Sequence, residues 1–126
     1  MDGRPQMMLT GIVLDSPDAK ELAAFYHRLL GWTVTLEEDH WVMLGAPAGG
    51  PGLSFQTEKN YVRPVWPPGP GDPQMGMHLD IRVDDLPAAV AHAEKAGATL
   101  ADFQPQDHVR VCLDPVGHPF CLYVDD

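Results

Sequence analysis

The sequence predicts an α+β fold built from two successive βαβββ modules, and three observations carry that expectation. First, residues 77–97, MHLDIRVDDLPAAVAHAEKAG, read as a strand running into a helix. Leu79, Ile81 and Val83 alternate with His78, Asp80 and Arg82, a period of two that puts an apolar row on one face and three ionisable groups on the other. Asp85 is placed to cap a helix, Leu86, Ala89, Val90 and Ala93 follow at helical spacing, and Gly97 is placed to end it. Second, residues 9–31 follow the same order of strand, helix and terminating glycine. Third, matched positions keep a nearly constant offset: 78 − 11 = 67 for Gly11 and His78, 97 − 31 = 66 for the two helix-ending glycines, and 121 − 56 = 65 for Gln56 and Cys121. One-residue slips about a constant offset fit a duplicated module with small loop changes.

In chain order, residues 9–14 form a short apolar strand. Ser16 and Pro17 signal a helix start, with the serine as cap and the proline in the first turn. Leu22, Phe25, Tyr26 and Leu29 then make an amphipathic helix that ends at Gly31. Strands at 32–36 and 41–44 flank an acidic turn, Glu37-Glu38-Asp39; a Gly/Pro loop at 46–52 follows, then a strand at 53–57. Residues 58–75 hold Pro64, Pro67, Pro68, Pro70 and Pro73 with almost no period, so they read as an irregular connection. The second half repeats the order: strand 77–83, helix 86–96, strands 99–103 and 108–113, a turn, and strand 120–124. The turn Asp114-Pro115-Val116-Gly117 follows type I preferences. The organisation expected is one domain over 1–126, with modules at 8–57 and 76–124 and the connection at 58–75 between them.

Composition bounds the function classes. A chain of 126 residues, 44% hydrophobic, suits one folded domain. Its formal net charge of −10, from 18 acidic and 8 basic residues, repels phosphate backbones and anionic lipid, so neither nucleic acid nor a membrane surface is an expected partner. No apolar run approaches the roughly 20 residues of a spanning helix. MDGRPQMMLTG lacks the apolar segment of a secretory signal, so a cytoplasmic location is expected, with Cys112 and Cys121 as free thiols. No CxxC, GxGxxG, Walker or GxSxG pattern occurs.

The order of elements, the helix segment AFYHRLLGW, the run HLDIRVDDLPAAVAHAEKAGA and the ending DPVGHPFCLY resemble the vicinal oxygen chelate superfamily, and within it the glyoxalase-like, bleomycin-resistance-like single-domain proteins. The resemblance covers roughly residues 8–124. It implies a glyoxalase/bleomycin resistance/dioxygenase fold, in which curved mixed sheets, covered outside by helices, surround a pocket. It implies no single reaction, because the superfamily includes isomerases, epimerases, ring-cleaving dioxygenases, thiol transferases and metal-free antibiotic-binding proteins. The four metal-ligand slots of the metal-dependent members fall here on Gly11, Gln56, His78 and Cys121.

One imidazole, one neutral amide and a thiol do not make the imidazole–carboxylate shell that a hard divalent cation wants. No cofactor is therefore expected; His78 and Gln56 are the two positions that could still donate to a metal. Two readings of His78 stay open: a half-buried histidine hydrogen-bonded to a neighbour such as Gln56, or a ligand-contacting histidine. Asp80 reads either as an orienter or base beside His78 or as half of an ion pair across the sheet with Arg82. Cys121 reads as an inert thiol. Trp41 and Met43 share a strand parity that faces a pocket if Val42 and Leu44 face the helix. Tyr61, Arg63 and Trp66 on the proline-rich connection either cover the pocket mouth or clasp a second subunit. His27, His92, His108 and His118 have no partner spacing and take no role.

The expected ligand-binding set is thus Trp41, Gln56, Trp66, His78, Asp80 and Cys121. The expected function is metal-free binding of a small aromatic or amphiphilic molecule, of the resistance or sequestration type, by a homodimer. The alternatives are a lyase, isomerase or dioxygenase using a degenerate metal site or metal-free acid–base chemistry, and an interaction module built on the 61–66 loop.

Overall fold

The computed structural model describes residues 3–125. The elements run β1 (Gly11–Ser16), α1 (Ala19–Leu30), β2 (Thr33–Glu38), β3 (Trp41–Gly45), β4 (Gly52–Thr57), β5 (Leu79–Arg82), α2 (Leu86–Ala96), β6 (Thr99–Leu100), β7 (Val109–Leu113) and β8 (Pro119–Tyr123). They form two four-stranded sheets with the same topology, β1-β4-β3-β2 and β5-β8-β7-β6. In each, the first strand pairs in parallel with the fourth, and the other neighbours are antiparallel.

Local chemistry explains the element ends. Asp18, not Ser16, is the α1 N-cap: its carboxylate accepts from the backbone N–H groups of Lys20 and Glu21. Ser16 closes the preceding turn instead, its hydroxyl donating to the Asp18 carbonyl and accepting from the Asp18 N–H. Gly31 ends α1 at φ 74°, in the left-handed region that glycine enters without a Cβ penalty. Asp85 caps α2 as the sequence suggests, accepting from Ala88 N–H. β1 starts at Gly11 and not at residue 9: the ladder ends with Gly52 N–H donating to the Thr10 carbonyl at 3.1 Å, and Pro51 before it has no N–H to continue. The strand expected over 99–103 stops at Leu100 because the Gln104 side chain takes over as β7's neighbour. Its amide donates to the carbonyls of Ala101 (2.7 Å) and Val111 (2.9 Å), and its oxygen accepts from Val111 N–H (2.8 Å).

The two modules share one core. Leu22, Phe25 and Tyr26 of α1 are buried, as their i, i+3, i+4 spacing predicts. Tyr26 stacks on Phe55 at 5.5 Å, while Phe25 and Tyr26 meet Phe120 of the second module at 6.0 and 6.2 Å. The helices bind each other's ends: Arg28 donates to the Ala96 carbonyl at the C-terminus of α2, and His92 pairs with the Leu29 carbonyl. Val42 and Leu44 are buried, so Trp41 and Met43 stand on the opposite face of the first sheet. On that face Val13 is 44% and Leu36 41% exposed. Both sheets thus turn one face into the core and leave the other open, and the open faces are where a site can form. No helix among the described residues is long and apolar enough to cross a membrane.

Candidate functional site

β5 and β8 pair with Asp80 opposite Cys121 and Arg82 opposite Tyr123. Direct ladder partners share a face, so Asp80 and Cys121 lie side by side on the open face while Phe120 and Leu122 fill the core behind them. His78, two residues before Asp80, falls on that face by strand parity. Its Nε2 lies 3.1 Å from Asp80 Oδ1. The donor atoms of His78, Asp80 and Cys121 all lie within 4.8 Å of one another.

The walls come from three other places. β7 contributes Val111, opposite Cys121, and Val109, opposite Tyr123. The 104–108 loop contributes Pro105, Gln106 and His108. The connection contributes Met75 and Trp66, whose indole N–H reaches the Phe103 carbonyl at 3.5 Å and whose ring lies 6.1 Å from that of Phe103. These groups enclose two adjoining hollows of about 160 and 280 Å³ that share His78, Gln106, Val109 and Cys121. The smaller, under Trp66, is mostly apolar; the larger carries Asp80, His108 and Tyr123.

Burial pushes the Cys121 thiol up, and so do the charge of Asp80 and a hydrogen bond to its carboxylate. Cys121 is therefore a protonated, weakly nucleophilic thiol at neutral pH. Both cysteines are free. Cys112 is pushed up to about 11, first by burial and then by the neighbouring Cys121.

Four of the six residues singled out from sequence, Trp66, His78, Asp80 and Cys121, meet in this place. The other two do not join them. Trp41 and Gln56 are ladder partners on the first sheet, and Gln56 Nε2 donates to Asp15 Oδ1 at 2.6 Å. Gln56 therefore neither hydrogen-bonds His78 nor completes a metal shell with it in this chain: the partner of His78 is Asp80. Arg82 pairs not with Asp80 but with Asp125, at 3.5 Å on the surface. The offset also needs correcting. Asp15 faces Gln56 and Asp80 faces Cys121, and 80 − 15 = 121 − 56 = 65. At that offset the counterpart of His78 is Val13, not Gly11. Of the connection's side chains, Tyr61 donates to the Val116 carbonyl (2.7 Å) and Arg63 to that of Pro115 (3.1 Å), so the segment is tied to its own second module. His118, given no role from sequence, bridges to the Asp15 carbonyl at 2.7 Å. Gln106 was missed because it lies on an irregular loop with no periodic signal, and His108, given no role from sequence, stands in the turn just before β7 rather than in the strand and lines the larger hollow.

Matching against known proteins now decides the lineage. Residues 11–123 match the family described as the glyoxalase-like domain. The chain belongs to that family. That places it in the vicinal oxygen chelate superfamily. Solved structures agree at the level of fold. A glyoxalase/bleomycin resistance protein/dioxygenase family enzyme from Burkholderia phytofirmans PsJN is similar at TM-score 0.69 and 19% identity, over 94% of this chain and 98% of its own. A glyoxalase-related enzyme from Fulvimarina pelagi gives 0.69 and 19%, over 95% and 89%. A possible glyoxalase from Bacillus cereus gives 0.68 and 11%, over 94% and 99%. No curated protein matches the chain by sequence.

Metal-dependent members of the superfamily hold a divalent ion, and the donors here can be tested against it. A hard cation takes oxygen and imidazole; here one carboxylate, one imidazole and one thiol converge. That set suits only a thiol-accepting ion such as zinc. Even zinc would have to displace a proton that Cys121 holds firmly and shares with Asp80. Without metal the three side chains satisfy one another, which makes them a polar floor beneath an apolar wall.

Proposed function

We propose that this glyoxalase-like protein binds a small, flat, partly apolar molecule on the open face of its second sheet and holds it without turning it over. One observation carries the reading: Trp66 and the apolar side chains of β7 and the 104–108 loop stand over a floor of His78, Asp80 and Cys121. Small-molecule sites are commonly built this way, with apolar walls and a few convergent polar groups. The aromatic wall takes the ligand's flat body. Asp80 accepts from a ligand N–H or O–H, and Gln106 supplies an amide lining both hollows. A sequestering role needs no more than this. The working unit is proposed to be a homodimer, since both open faces leave apolar side chains to be covered.

The environment-sensitive dye Nile red, neutral and flat, tests the reading. Its emission should rise on binding, and Trp66→Ala should weaken binding at least tenfold while Trp41→Ala leaves it within twofold. Equal effects of the two substitutions would overturn the assignment of the face. A second reading, a lyase or isomerase, is favoured by the 3.1 Å His78–Asp80 pair, which can orient a general base. Cobalt added to the protein tests the metal-using form of that enzyme. A thiolate–cobalt absorption band that disappears in Cys121→Ala would show that the floor accepts a metal and favour the enzyme; no band restricts the second reading to metal-free acid–base chemistry at His78 and Asp80.

A further inference from the structure

A separate hollow of about 390 Å³ lies between β1 and the connection, and it shares only Met75 with the hollows around Cys121. Three of the large apolar side chains most open to water border it: Val13, Val62 and Met77, 44%, 66% and 64% exposed. Beside them stand two carboxylates, Asp15 and Glu58, and no lysine or arginine lines the space. One oxygen of each carboxylate is engaged, Asp15 Oδ1 by Gln56 and Glu58 Oε1 by the Asn60 N–H at 3.0 Å. The second oxygen of each makes no hydrogen bond among the described residues. Tyr61 supplies an aromatic face, held by its hydroxyl on the Val116 carbonyl.

We propose that this hollow is a second binding site, for a primary ammonium ion carried on a short apolar or aromatic body. Two carboxylates lining one hollow that holds no lysine or arginine, with His118 there turned to the Asp15 carbonyl, attract an ammonium donor, and a chain of net charge −10 concentrates cations at its surface. The exposed Val13, Val62 and Met77 then gain cover from the ligand's apolar part, and the tyrosine ring can face the cation. The duplication explains why only one module has such a site. Asp15 corresponds to Asp80, but 123 − 58 = 65 sets Tyr123 against Glu58, so the second module lacks the second carboxylate. The site stands independently of the ligand proposed for the second sheet.

Phenethylammonium and its neutral analogue 2-phenylethanol, titrated by NMR at pH 7 and low salt, test the proposal. The ammonium should bind at least tenfold more tightly than the alcohol. Asp15→Asn and Glu58→Gln should each weaken it at least fivefold, while Glu94→Gln, on the exposed side of α2 and away from both hollows, stays within twofold. Should Asp15→Asn fail to fold, Glu58→Gln, whose carboxylate hydrogen-bonds only the Asn60 backbone N–H among the described residues, decides alone. Equal affinity for the amine and the alcohol, or an equal loss in Glu94→Gln, would overturn the site.

Discussion

Asp114 is a carboxylate buried at the junction of the two modules. Its oxygens accept from the Tyr26 hydroxyl at 2.8 Å and from the N–H groups of Val116 and His118. These bonds and the nearby His118 favour the charged form, yet burial outweighs them and raises the carboxyl above its ordinary value. Linkage then fixes a sign. Once pH passes the unfolded value of about 4, the unfolded chain loses this proton more readily than the folded one, so Asp114 withdraws stability as pH rises toward its folded value and none further above it. Asp114→Asn removes that dependence. The melting temperature of the variant relative to the parent should therefore climb as pH rises above about 4 in a thermal-unfolding series and then level off; a constant difference would show that Asp114 titrates normally. At this scale the sequence was informative where periodicity governs and silent elsewhere. His78 and Asp80 shared a face by parity alone, and the arrangement that joins them follows from it. The Tyr26–Asp114 bond spans 88 residues, and no local pattern connects a helix tyrosine to a turn aspartate.

Among elements, β2 behaves differently from the rest. All six of its residues are exposed, it pairs with β3 alone, and Val34 and Leu36 are 38% and 41% exposed. An edge strand carrying open apolar side chains is a template for association, and a second copy of this chain is the occupant the homodimer proposal assigns to it. Sedimentation equilibrium should give the mass of two chains, and Leu36→Glu should shift it toward one; a monomeric parent would refute the assignment. Element order and type were readable throughout, because each helix has a cap, an apolar stripe and a terminating glycine. What failed was strand length. β6 is cut short by the Gln104 side chain, and β1 is set by where β4 begins. Both are tertiary facts that the strand sequences do not contain.

For the molecule as a whole, the duplicated topology is the organising fact. It places the same ladder pair, Asp15–Gln56 and Asp80–Cys121, on two open faces. It then differentiates them through residues that the two modules do not share: Trp66 and the 104–108 loop on the second face, Glu58 and Tyr61 beside the first. The sequence showed both faces but merged them into one pocket, because a linear pattern says which face a residue takes and not which sheet it faces across the chain. That is why Trp41 and Gln56 were grouped with His78. The central claim is that the ligand lies under Trp66. The chain has three tryptophans, each with its own indole N–H signal in a ¹H–¹⁵N spectrum. In a titration with 2-naphthol, the account predicts a saturable shift of the Trp66 signal with those of Trp32 and Trp41 unmoved. A shift of Trp41 with Trp66 unchanged would contradict it.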